Sequence, residues 1–173
     1  AAACGFRVFV PVLVLSIGAR CGAVQLGENW AWLGETPALV ALSLASGLEV
    51  LGYWIPWVDH LLDTIASPAA VVAGTLVAAS QMGELNPMLQ WSAALIAGGG
   101  LAGLVQTATV TTRAASTTLT GGIANPLFST GETALAGVLS VGSIVVPGLV
   151  VLFIVIVLIA TTRVVVGARR VAA

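Results

Sequence analysis

Long apolar runs, following one another with little between them, constrain this chain more than any other feature. They cover Ala2 to Ala19, Pro37 to Trp54, Pro68 to Met82, Pro87 to Thr112 and Thr133 to Thr162. Crossing a bilayer's hydrocarbon, about 30 Å thick, takes about 20 apolar residues of helix. In lipid every backbone polar group must be satisfied within the protein, and helix does this inside a single segment. The spacing predicts an all-α, polytopic transmembrane helical bundle of about five spans. The last run, at about 1.5 Å per residue, would measure about 45 Å, too long for one upright span. Pro147-Gly148 lies within it. Its presence predicts a kink there, or else two short helices joined by a tight turn, with the kink preferred.

Charge is scarce enough to support this. Of 173 residues, 58% are hydrophobic and 8% charged, against about 25% charged in a soluble domain. A water-facing surface cannot be built from so few charges, so lipid must cover most of the exterior. The length leaves room for one domain and no separate soluble module. All six basic residues are Arg and the net charge is −1, which excludes a basic patch for nucleic acid. Cys4 and Cys21 sit among small apolar residues and read as buried free thiols. They lack the CxxC spacing of a redox pair or zinc site, and no cofactor is implied. The chain starts at Ala1 without Met, so further N-terminal sequence is expected. Its first run lacks a signal peptide's charge pattern and holds the internal Arg7, so it reads as a span.

Helix boundaries are marked by Thr36-Pro37, Ser67-Pro68, Asn86-Pro87 and Asn125-Pro126. Each joins a capping side chain to a proline, whose missing N–H costs nothing at a helix start. Trp30 and Trp32, in the polar loop Arg20 to Glu35, read as anchors at the water–lipid boundary. Arg163, Arg169 and Arg170 follow the last run. The positive-inside rule places them, and the C-terminus, in the cytoplasm.

Charges stranded in apolar runs need a reason, because each costs about 2.5–3.5 kcal/mol to insert. Arg7 lies in the first run, Glu49 deep in the second, Arg113 at the end of the fourth and Glu132 at the head of the last. The simplest arrangement pairs buried Arg with buried Glu. Such pairs either fix helix register or line a site for a polar solute, and Arg7 and Arg113 can also snorkel to the interface. Asp59 and Asp63, four apart, share a helix face. With His60 they are weak candidates to ligate a cation, and a solvated loop is the plainer reading.

Between Arg113 and Glu132 lie the hydroxyls of Ser116, Thr117, Thr118, Thr120, Ser129 and Thr130 and the amide of Asn125. Gly121-Gly122 permits irregular backbone there. Such a segment is either an exposed loop or a re-entrant one lining a wet cavity. In the second case the helix beginning at Asn125 directs its N–H groups at the occupant.

Gly5-Phe6-Arg7, Leu48-Glu49 through Ile55-Pro56 to Asp59 and Asp63, and Arg113 with Ser116, Thr120-Gly121 and Asn125-Pro126 to Glu132 resemble one bacterial family. It is known as domain of unknown function 4126. The resemblance spans nearly the whole chain. It implies a small multi-span protein of the bacterial inner membrane and no settled activity. Where such proteins often carry Asp-Lys ahead of the proline, this chain has Tyr53-Trp54, so no charged pair is expected there.

Each half thus holds an Arg and a Glu, Arg7 with Glu49 and Arg113 with Glu132, which suggests repeated halves as in small transporters. No residue-by-residue repeat accompanies it. A transporter or permease-like protein for an ion or small polar solute is the leading expectation. Its pathway would be Arg7, Glu49, Asp59, Asp63, Arg113, Ser116, Thr120, Asn125 and Glu132. A scaffold or assembly subunit is the alternative, with structural ion pairs and close helix contacts at Gly98-Gly99-Gly100 and Gly103. No nucleophile–base or metal spacing suggests an enzyme. The expected partners are the bilayer, the solute and, in a homodimer, a second copy.

Overall fold

A computed structural model describes residues 1–83, 85–148, 151–152 and 155–156, with backbone alone for 56, 57, 59 and 60. The regular elements among the described residues are all helices, without strands. A 3-10 turn, Ala2–Gly5, leads into α1 (Phe9–Arg20), and a second, Glu28–Gly34, leads into α2 (Thr36–Gly52). There follow α3 (Pro56–Ser80), α4 (Pro87–Ala93), a π-helical segment (Ala94–Gly99), α5 (Gly100–Thr120) and α6 (Asn125–Val145). The chain divides into two compact units, Ala1–Ser140 and Val141–Ala173.

Three helices are long and apolar enough to cross a membrane: Leu61–Ser80, Pro87–Thr120 and Asn125–Val145. The first and second apolar runs instead form shorter helices of 12 and 17 residues. The first is shortened by the break between Gly5 and Phe9, where Arg7 leaves the helical path. The fourth run and part of the polar segment after it form one continuous 34-residue rod, Pro87–Thr120. At about 1.5 Å per residue this rod is about 50 Å long, longer than one upright crossing of the hydrocarbon needs.

Three of the four expected proline starts are found. Pro37 and Pro87 open their helices, and the Asn86 side chain accepts the Met88 N–H at 2.9 Å. Asn125-Pro126 opens α6. Ser67-Pro68 does not start a helix; Pro68 lies inside α3. Ile55 is extended and Pro56 takes the opening position, while an interior proline is tolerated in membrane helices. The segment from Thr111 is helix as far as Thr120, and the irregular part is the short turn before Asn125. Gly121 and Gly122 adopt φ of 64° and 85° there, the left-handed region that glycine enters without strain. Helix α6 ends at Val145, two residues ahead of the Pro147 break point. The rest of that run, with Arg163, Arg169 and Arg170, lies outside the described residues.

The interior is built from small and polar side chains. Cys4, Val8, Ala66, Ala70, Ala73 and Ala102 form its apolar cluster, and the largest fully buried side chain is Arg7. Large aliphatics face outward, with Leu48 71%, Leu104 63% and Val138 68% exposed. This inversion fits a lipid surround, where close approach of backbones holds helices together better than bulky apolar contacts. A Cβ on Gly74 would come within 2.6 Å of the Gly98 carbonyl oxygen, and one on Gly99 within 2.5 Å of the Thr75 hydroxyl. Gly98 and Gly99 therefore seat the π segment on α3, as the glycine run suggested, while Gly100 has no side-chain neighbour to make room for. Cys4 is buried as expected, but Cys21 is exposed, since it follows the last turn of α1.

The helices run up and down. Their ends near Arg7, Tyr53, Asp63, Arg113 and Glu132 gather at one place. The ends near Gln25, Trp30, Ser80 and Gln90 gather at another.

Candidate functional site

Arg7 stands between the first 3-10 turn and α1, and it is 1% exposed. Its five N–H donors are all used. Nε donates to Thr133 Oγ1 at 2.9 Å, and Nη1 to the Phe6 carbonyl at 3.0 Å and Glu132 Oε2 at 3.2 Å. Nη2 donates to the Ser129 carbonyl at 2.8 Å and its hydroxyl at 2.6 Å. Ser129, Glu132 and Thr133 lie three and four residues apart, so α6 presents them on one face.

Arg113, on α5, approaches the same carboxylate from the side. Its Nε donates to Glu132 Oε1 at 3.2 Å and its Nη2 to Glu132 Oε2. The remaining nitrogen, Nη1, donates to Asp63 Oδ1 on α3 at 2.9 Å. Planar, forked donors suit this two-oxygen grip. Glu132 thus bridges both buried arginines, and Asp63 supplies the second negative charge.

Tyr53 completes the cluster. It is 3% exposed, with the Arg7 guanidinium carbon 4.0 Å and the Arg113 guanidinium carbon 4.3 Å from its ring centroid. The face of an aromatic ring is negative, so it attracts both cations. Nothing in the residues singles out Tyr53 except its departure from the Asp-Lys pattern. That departure places an uncharged ring where two arginines meet.

Glu49 does not pair with Arg7 by a hydrogen bond. Its carboxylate accepts the backbone N–H of Val8 at 2.6 Å and of Phe9 at 3.0 Å. These are among the orphan donors at the head of α1, and a carboxylate there also meets the positive end of the helix dipole. The expected Arg7–Glu49 pairing is therefore replaced by Arg7–Glu132. The reason is placement: the break before α1 leaves N–H groups facing Glu49 and turns the Arg7 side chain toward α6.

A cavity of about 290 Å³ opens beside the Asp63–Arg113 bridge, lined also by Thr64, Ser67, Thr117 and Asn125. The Asn125 amide donates to Thr117 Oγ1 at 2.9 Å, tying the start of α6 to α5. Ser116 is buried and its hydroxyl meets no protein partner among the described residues, though it does not line the cavity. Thr120 is exposed, and its hydroxyl donates to the Ser116 carbonyl of its own helix at 2.8 Å. It closes the end of α5 and is not part of the cavity. The side chains of Asp59 and His60 lie outside the described residues. Among the described residues no three His, Cys, Asp or Glu side chains gather to hold a metal, and Asp63 faces Arg113.

The model of one family, described as a domain of unknown function (DUF4126), matches residues 1–166. The chain belongs to the DUF4126 family. The match takes in every residue of the cluster of this DUF4126 protein, from Arg7 to Thr133. No curated protein and no solved structure matches the chain.

Proposed function

We propose that this DUF4126 protein is a permease-like membrane protein that receives a small polar or ionic solute at the Asp63–Arg113 bridge. One observation carries the reading: the charged cluster is sealed on the Arg7 side and open on the Arg113 side. Arg7 has no donor left to offer, whereas Asp63, Arg113, Thr117 and Asn125 border a cavity large enough for a small solute. A solute with donors and acceptors can exchange for part of the bridge, with Thr64 and Ser67 completing its hydrogen bonds. Arg7, Glu49 and Glu132 then hold the helix ends in place, and the pathway is narrower than the full set of buried charges. The cytoplasmic membrane is the proposed location.

A scaffold role is the second reading, favoured by the saturation of Arg7, which a purely structural network would also display. Proteoliposomes separate the two. Vesicles shrunk in hyperosmotic glycine, urea or potassium chloride re-swell as solute enters, and light scattering follows the rate. Faster re-swelling than in protein-free vesicles in at least one solute, slowed several-fold by Asp63→Asn, supports transport. Protein-free rates in all three solutes leave the scaffold.

A further inference from the structure

The geometry points to a second site, independent of the first: a groove and pocket that together hold one membrane lipid with an ammonium-bearing, zwitterionic headgroup. The groove, about 380 Å³, is lined wholly by apolar surface from α1, the Glu28–Gly34 turn, α2 and α3. The pocket, about 770 Å³, lies where α1 gives way to that turn and where α3 gives way to α4. Trp30 lines both.

The two are continuous along one face of α3. Ala69, Val72, Ala73, Leu76 and Val77 line the groove, and the next turn brings Ser80 into the pocket. These positions recur every three or four residues, so they form one stripe. Along that stripe the surface changes from hydrocarbon to polar within about 6 Å, at four residues of about 1.5 Å each. Ser80 ends one candidate span and Pro87 begins the next. The pocket therefore lies at headgroup level, and the groove reaches into the acyl region. An amphiphile matches that order; a water-soluble or a wholly apolar ligand matches only half of it.

The pocket's chemistry selects the headgroup. Its described lining holds one charge, Glu28, with the amides of Gln25, Asn29, Gln81 and Gln90, and no cation. Glu28 suits an ammonium, and the amides suit phosphate and ester oxygens. Trp30, its ring centroid 6.2 Å from that of Trp91 at 51°, adds aromatic surface to the pocket, of the kind that attracts ammonium groups and sits at membrane boundaries. An anionic headgroup would meet Glu28 without a compensating cation.

The test uses delipidated protein in detergent, given dioleoyl phosphatidylethanolamine or dioleoyl phosphatidylglycerol, with bound lipid counted by native mass spectrometry. Wild type is expected to retain one phosphatidylethanolamine and little phosphatidylglycerol. Leu76→Trp fills the groove and should abolish retention. Glu28→Lys should reduce phosphatidylethanolamine retention about fivefold, as expected for one exposed charge pair, and raise that of phosphatidylglycerol. Both positions are exposed, so an unchanged melting midpoint separates loss of the site from loss of the fold. Equal retention of the two lipids by wild type, or wild-type retention in either variant, overturns the site.

Discussion

The two ends of the helical bundle are held by different forces. At the Arg7 end, Tyr53, Asp63, Arg113 and Glu132 bind the ends of five helices through ion pairs, charge-assisted hydrogen bonds and an aromatic ring. At the Trp30 end no ion pair is found among the described residues. Contact there rests on Gly27 against Gly83, Trp30 against Trp91, the Gln90 amide donating to the Ala79 carbonyl at 2.9 Å and the exposed Arg20 donating to Thr36 Oγ1 at 2.9 Å. A network of buried charges tolerates little rearrangement, because removing one member strands the others. Surface contacts of amides and aromatics tolerate much more. The first end is built to hold position, the second to accept a neighbour.

Short of a charge reversal, the largest effect should come from the carboxylate that both arginines share. Glu132→Gln leaves two buried guanidiniums with one hydrogen-bonded carboxylate between them, Asp63 on Arg113, and should cost about 3–5 kcal/mol, the range for breaking a buried pair. Unfolding in detergent, followed by circular dichroism, measures it. A loss under about 1 kcal/mol would mean that the network does not hold this end. Tyr53→Leu comes next. It deletes two desolvated cation–π contacts of up to about 2 kcal/mol each, for a total of about 2–4 kcal/mol, whereas Tyr53→Phe keeps the ring and most of the stability. Equal losses in the two variants would shift the weight from the ring to the hydroxyl.

Between the ends, helix contact depends on backbone approach. Gly98→Ala drives a Cβ into the Gly74 carbonyl oxygen, and overpacking of this kind costs about 1–3 kcal/mol. Gly47→Ala, on α2 with open space around it, is the matched control, in which alanine's better helix propensity should be neutral or mildly stabilising. The same unfolding measurement compares them, and parity would remove the close contact from the account.

How much of this was legible in the residues follows from what each signal reports. Scarcity of charge and serial apolar runs made a membrane helical bundle readable. The stranded charges pointed to residues that the fold brings together. Partners were harder. Glu49 looked like the mate of Arg7 because both are charged, but an orphan N–H at a helix start is invisible in side-chain chemistry. Ser129 and Thr133 carry a weak helical spacing around Glu132 that could have been followed. Tyr53 was hidden because an aromatic next to Trp54 reads as an interface anchor. Ser67-Pro68 misled because the proline signal for a helix start also occurs inside membrane helices, and only the extended Ile55 decides between them.

The smallest stability effect sharpens the contrast most. Glu28 is exposed and belongs to no ion pair among the described residues, so Glu28→Lys should change stability by less than about 0.5 kcal/mol. The same charge reversal at the other end, Asp63→Lys, would set a third cation beside Arg7 and Arg113 and should prevent stable folding. If the ends differ as their contacts imply, detergent melting midpoints will separate these two reversals widely although each changes the chain by the same charge. A comparable loss for Glu28→Lys would mean that the Trp30 end also depends on charge to hold together. Its pocket would then be part of the framework and not an opening in it.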